Sequence, residues 1–276
     1  MKKILILLTL TFFLTSFTPK EIKWIAIGDS ITYLNDHLDE TGNRVTKGYM
    51  TRVIEKKPAL QYLNQGHNGW TAVKIAKNID QLGLTKADIY SVFLGTNDWW
   101  AGLPLGTIKD YTNDKGNATV YGAFRIIVNK IKRLNNQAEI VLITPMQRTD
   151  FIYIGDMHNN AWGSYKEKAG QSLEQFAEAI KTIGKQESFQ VIDLYHNNLL
   201  ALPKLVKYKR LKDPLSGSYN NYKYPTYTTI PFNPAADEYP YPIDAIDMTY
   251  DGLHPSDKGN QLIADALLKV FKRNNQ

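Results

Sequence analysis

The feature that most constrains the fold is a rhythm. Short apolar runs, each closed by glycine, proline or a polar turn, alternate with longer stretches in which apolar residues recur at helical spacing. The runs over 21–28, 60–64, 88–94, 139–144 and 189–194 read as buried strands, the first ending at Gly28-Asp29-Ser30, the third at Gly95 and the fourth at Pro145. Helices are expected over 49–56, 70–82, 119–134, 165–183 and 256–271; the third of these carries Phe124, Ile127, Val128 and Ile131 on one face. Strands that are apolar on both sides need cover on both faces. The pattern therefore predicts a central parallel sheet of about five strands in a three-layer α/β/α sandwich. In such a sheet, sites form at the carboxyl ends of the strands.

The two ends of the chain break the rhythm differently. Met1-Lys2-Lys3 precedes an apolar run from Ile4 to about Phe17, the layout of an export signal. At ~1.5 Å per residue that run spans roughly 20 Å, short of a ~30 Å hydrocarbon core. Residues 1–20 are thus expected to be a signal peptide and 21–276 a single domain that is exported, periplasmic or secreted, with no stable membrane anchor after the signal is removed. Toward the other end, 209–250 is rich in Tyr, Pro, Asn and Asp with little periodicity, which marks an insertion expected to be an irregular functional loop. The chain has no cysteine, which excludes disulfides, thiolate metal sites, a cysteine nucleophile and a lipidated N-terminal cysteine. The formal charge is +6, lowered by two when Lys2 and Lys3 leave, and the remaining lysines are scattered. No nucleic-acid partner is expected from so diffuse a surface.

Four segments fall where a site should lie. Ser30 stands at the exit of the first strand, as a nucleophile or as a helix cap. The glycine-rich stretch 64–69 after the second strand can bring backbone N–H groups to a ligand, or be an ordinary turn. Gly95-Thr96-Asn97-Asp98 follows the third strand, where Asn97 can donate its amide to an oxyanion or stabilise the loop. Asp251-Gly252-Leu253-His254-Pro255 precedes the last helix, and an Asp three residues before a His can hold the imidazole and fix its tautomer. A nucleophile, a base, an orienter and oxyanion donors are together the set that acyl transfer requires.

In that order, Gly28-Asp29-Ser30, Asn64-x-Gly66-x-x-Gly69-x-Thr71, Gly95-Thr96-Asn97-Asp98 and Asp251-x-x-His254-Pro255, the chain closely resembles the SGNH hydrolases, also called the GDSL esterase/lipase family. The resemblance spans about 22–271 and implies a flavodoxin-like α/β/α sandwich. It implies Ser30 as nucleophile, His254 as base and Asp251 as its partner. The oxyanion hole would consist of the Ser30 N–H, the Gly69 N–H and the Asn97 side chain. No metal or cofactor is required. The chain departs from the family where Tyr33-Leu34 stands in place of a glycine common in relatives, and in the length of the 209–250 insertion.

For the substrate, Trp70 directly follows Gly69, and Trp99 and Trp100 follow Asn97-Asp98, so all three are expected near the pocket mouth. Tyr219, Tyr222, Tyr224, Tyr227, Tyr239 and Tyr241 either form an aromatic platform for a sugar ring or simply pack the insertion. The expected partner is a small-molecule or oligosaccharide ester, with carbohydrate deacetylation favoured. Competing readings are an esterase of acyl lipids, an acyltransferase, and a non-catalytic carbohydrate-binding protein on a hydrolase scaffold.

Overall fold

The computed structural model describes residues 21–273. Its strands, in chain order, are β1 (Ile22–Gly28), β2 (Leu60–Gly66), β3 (Ile89–Phe93), β4 (Glu139–Ile143), β5 (Phe151–Tyr153), β6 (Asp156–Ala161), β7 (Gln190–Ile192), β8 (Lys209–Lys212) and β9 (Tyr219–Tyr222). The helices are α1 (Ser30–Tyr33), α2 (Tyr49–Lys56), α3 (Ala72–Asn78), α4 (Thr96–Trp100), α5 (Ile108–Thr112), α6 (Val120–Leu134), α7 (Leu173–Glu187), α8 (Leu202–Leu205) and α9 (Asp257–Arg273). The central sheet has five parallel strands in the order β2-β1-β3-β4-β7, with β1 paired to β2 on one side and β3 on the other. The expected sandwich is what forms.

Strand alternation sorts the core into two layers. From β1, Ile25 and Ile27 point to a layer closed by α3, α6 and α7, where Ile75, Phe124, Ile127, Phe176 and Ile180 are fully or almost fully buried. Trp24 and Ala26 point the other way, to α2 and α9, against Tyr49, Val53, Ile263 and Leu267. The Trp24 indole N–H donates to Ser91 Oγ at 2.9 Å, so the polar tip of this fully buried ring is satisfied within the sheet. No helix among the described residues is long and apolar enough to cross a membrane. The expected signal peptide lies outside the described residues.

Three local expectations are revised. The helix expected over 165–183 begins only at Leu173, because Ser172 and Gln175 form a capping box there. The helix expected over 70–82 starts at Ala72, capped by Thr71, whose side chain accepts the Lys74 N–H; Trp70 stays in the preceding loop. The 209–250 insertion is not irregular throughout. It contains the β8–β9 hairpin and short helical turns at Thr226–Thr229 and Ile243–Ala245. With Val206 just before it, the insertion also builds a small core of Leu211, Tyr227 and Tyr241 against Ile152. The β5–β6 hairpin carries no sequence signal, since β6 is Asp-Met-His-Asn-Asn-Ala and mostly exposed.

Candidate active site

The site forms where β1, β2 and β3 end and α9 is about to begin. Asp29 opens α1 as its N-cap by accepting the Ile31 N–H at 3.0 Å, which makes Ser30 the first helical residue. The Ser30 N–H therefore has no partner inside the helix, and it is not spent on another backbone acceptor among the described residues. Burial pushes the Asp29 carboxyl up to about 6.

Facing it is the loop before α9. Asp251 is fully buried and its Oδ1 accepts the N–H groups of Leu253 (3.0 Å) and His254 (2.7 Å). Its Oδ2 lies 2.6 Å from His254 Nδ1, and His254 Nε2 lies 2.8 Å from Ser30 Oγ. A carboxylate can only accept, so Nδ1 carries the proton and Nε2 is left to accept from the serine hydroxyl. The imidazole is held edge-on by Phe151, at 5.2 Å between centroids, and stacked on Tyr250 at 5.8 Å. The loop is pinned from beneath where the Thr149 N–H donates to the Gly252 carbonyl at 2.8 Å. Gly252 has φ +90°, and a Cβ there would stand 2.3 Å from Thr149 Oγ1, so only glycine fits.

The candidate oxyanion donors converge on the same space. Gly69 takes a left-handed φ of +72°, with open space where a Cβ would go, and its N–H is not used by a backbone acceptor among the described residues. Asn97, in α4, donates one amide hydrogen to the Trp70 carbonyl at 3.0 Å, leaving its second hydrogen available. Ser30, Gly69, Asn97 and His254 all line one cavity of about 290 Å³. Asp98 is fully buried beside it and caps α3 through the N–H groups of Ala72 and Val73; burial pushes its carboxyl up to about 6.

The tryptophans do not gather as expected. Trp100 lines the cavity. Trp99 is completely buried in the core, its indole N–H donating to the Gln171 carbonyl at 3.0 Å, and does not reach the mouth. Trp70 stacks on His67 at 4.3 Å beside Lys74 and is not a wall of the cavity, to which it contributes only the carbonyl that holds Asn97. The insertion tyrosines are absent from its lining, and Tyr227 and Tyr241 are core residues of the insertion. Tyr33 and Leu34, the departure from the family pattern, are also outside it: Tyr33 stacks on His37 and donates to Glu40, and Leu34 is buried elsewhere. Sequence reasoning missed Arg148, Phe151, Tyr153 and Asn159, which complete the walls. Their one signal was position, on the segment leaving the carboxyl end of the fourth strand.

Residues 26–262 match the model of the GDSL-like lipase/acylhydrolase family. A solved structure described as a possible lipase from Chitinophaga pinensis is 64% identical, covering 92% of this chain and 99% of that one at a TM-score of 0.91. A Lactobacillus plantarum protein is 18% identical over 93% of this chain and 99% of its own, TM-score 0.61. An acetyl xylan esterase is 17% identical over 90% and 99%, TM-score 0.53, a likeness of fold. No curated protein matches the chain. The family match over nearly the whole domain, on the five-stranded parallel sandwich described above, makes this chain a member of the GDSL-like lipase/acylhydrolase family, an SGNH-type ester hydrolase.

Proposed function

We propose that the chain is an exported serine esterase that removes small acyl groups, acetyl first among them, from carbohydrate. The observation that carries this is the unbroken Asp251–His254–Ser30 hydrogen-bond line opening into a compact cavity of mixed polar and aromatic walls. His254 Nε2 takes the Ser30 proton as Oγ attacks the ester carbonyl, and Asp251 stabilises the imidazolium that results. The Ser30 and Gly69 N–H groups and the Asn97 amide receive the charge that develops on the carbonyl oxygen. His254 then protonates the leaving alcohol, and water, activated by the same nitrogen, releases the acyl group.

The cavity favours a small acyl group. At about 290 Å³ it lies at the low end of ligand-site sizes. Asn68, Thr71, Asn97, Tyr153 and Asn159 bring polar groups to its wall, Trp100 and Phe151 supply its apolar faces, and its aliphatic side chains are limited to Ala101 and Leu253. A long acyl chain asks for a continuous aliphatic groove. Export rests on the N-terminal segment read in the sequence. The Chitinophaga relative, described as a possible lipase, keeps a lipid ester as the second reading. Hydrolysis of p-nitrophenyl acetate, butyrate and octanoate, measured beside acetate release from acetylated xylan and pectin, separates the two. The expected result is a steep fall with chain length and release of polysaccharide acetate; an octanoate optimum would replace the deacetylase with a lipase.

A further inference from the structure

Arg148 is a buried charge with an incomplete set of partners. It is 1% exposed, yet its Nε and Nη2 are buried without a hydrogen-bond partner. Its guanidinium lies between aromatic rings, 5.4 Å from the centroid of Trp100, 5.6 Å from Phe151 and 5.7 Å from Trp99. The carboxylates near enough to act on it are each engaged elsewhere. Asp251 holds His254, Asp150 pairs with Lys209 Nζ at 2.9 Å, and Asp29 caps α1. Ring faces offset only part of the penalty of burying a cation; a charge-assisted hydrogen bond to an anion is the stronger solution. That penalty pulls the guanidinium down to about 10.

The position of this residue gives the anomaly a use. Arg148 lines the same cavity as Ser30 and His254, and Trp100 and Phe151, whose rings pack against its guanidinium, line it too, so a carboxylate reaches the sealed Nε and Nη2 as those rings shift. Outside the wall two lysines stand near Trp100 and Trp162. Lys168 Nζ sits 3.9 Å from the Trp100 centroid and 4.2 Å from that of Trp162, and the exposed Lys166 lies beside Trp162. A guanidinium is a planar fork matched to a carboxylate.

We propose that Arg148 is a specificity-determining residue that binds a carboxylate carried by the substrate close to the ester, so that anionic esters are selected over neutral ones. This rests on the esterase assignment and extends it to a substrate class. The carboxylate can belong to the alcohol, as in an O-acetylated uronic acid, or to the acyl group, as in a half-ester of a dicarboxylic acid; the recognising chemistry is the same.

The test compares kcat/KM at constant ionic strength within two pairs. One is an O-acetylated galacturonic acid methyl glycoside against the corresponding galactoside; the other is p-nitrophenyl hemisuccinate against p-nitrophenyl butyrate. Wild type is expected to prefer the anionic member of at least one pair by about tenfold, which identifies the side that carries the charge. Arg148→Gln should abolish that preference and Arg148→Lys retain part of it, because Lys keeps the charge without the fork. No preference in either pair, or an equal loss on both members in Arg148→Gln, overturns the proposal. Should Arg148→Gln melt early, inhibition of wild-type p-nitrophenyl acetate hydrolysis by galacturonate or succinate but not by galactose or succinamide supports it, and equal inhibition or none within both pairs refutes it. If wild type hydrolyses no ester while galacturonate or succinate still binds by calorimetry, the esterase assignment fails and the anion site stands.

Discussion

The carboxylate of Asp98 accepts the Ala72 N–H at 2.8 Å, so one buried acid ties the start of α3, just past Gly69, to the helix that carries Asn97. The two loops that hold the candidate oxyanion donors are registered to each other by this contact and by the Asn97–Trp70 bond.

This clamp has a pH signature. The Asp98 carboxyl is raised to about 6 by burial. A folded-state value above the unfolded one means that the folded protein holds the proton more tightly, so the group's contribution is fully present at acid pH and lost as pH rises through about 6. Asp98→Asn removes that dependence. Thermal melts between about pH 4 and 7 should show the wild type losing stability relative to the variant as pH rises; a constant difference across the range would count against it.

Ser30→Ala is expected to lower kcat/KM on p-nitrophenyl acetate by about 10³-fold or more, because the covalent route disappears. The hydroxyl's hydrogen bond among the described residues is to His254, so the melting temperature should hold. More than a tenth of wild-type activity in the purified variant would rule Ser30 out as nucleophile.

Asp251→Asn should be severe although the loop survives. Oδ1 accepts two backbone N–H groups, so the amide oxygen of Asn must stay there. The amide nitrogen then faces His254 Nδ1 and forces the tautomer in which Nε2 carries the proton and cannot accept one from Ser30. A loss of roughly 10³–10⁴ in kcat is expected, comparable to that of His254→Ala. A loss below about tenfold would show that Asp251 does not set the tautomer.

Asn97→Ala should reduce kcat by roughly 10²–10³ with a smaller change in KM, since the amide acts most strongly on charge that develops in the transition state. A rise in KM alone would make Asn97 a binding residue and place the oxyanion contacts elsewhere.

Tyr241→Phe tests how the insertion supports the site. The Tyr241 hydroxyl donates to the Asp150 carbonyl and lies 2.7 Å from Thr149 Oγ1, directly under Gly252. Its removal leaves the Asp150 carbonyl without this donor and the Thr149 hydroxyl without this acceptor, an expected loss of about 1–2 kcal/mol in denaturant unfolding. kcat should fall within about tenfold as the His254 loop loosens. Unchanged stability and activity would make the insertion a passive appendage.

The layers, the parallel sheet and the four site segments were legible in the residues because their signals are local. Alternation along Trp24–Ile27 decides which side chains face which layer, and a glycine or an Asp–His spacing acts within a turn. The same local signals misplaced Trp99, whose neighbours in sequence are at the site while its ring is in the core.

By itself, then, the sequence determined the fold class and which short segments meet at the carboxyl ends of β1, β2 and β3. Tertiary structure alone decided the rest. It brought His254 to Ser30 across 224 positions and packed Tyr222, Tyr224 and Tyr239 around Tyr227 and Tyr241. It also placed Arg148 unpaired in the wall of the cavity. The physical reason is that periodicity records which face of its own element a side chain occupies. Burial without a partner is a property of everything that folds around it, and no window of sequence contains that information.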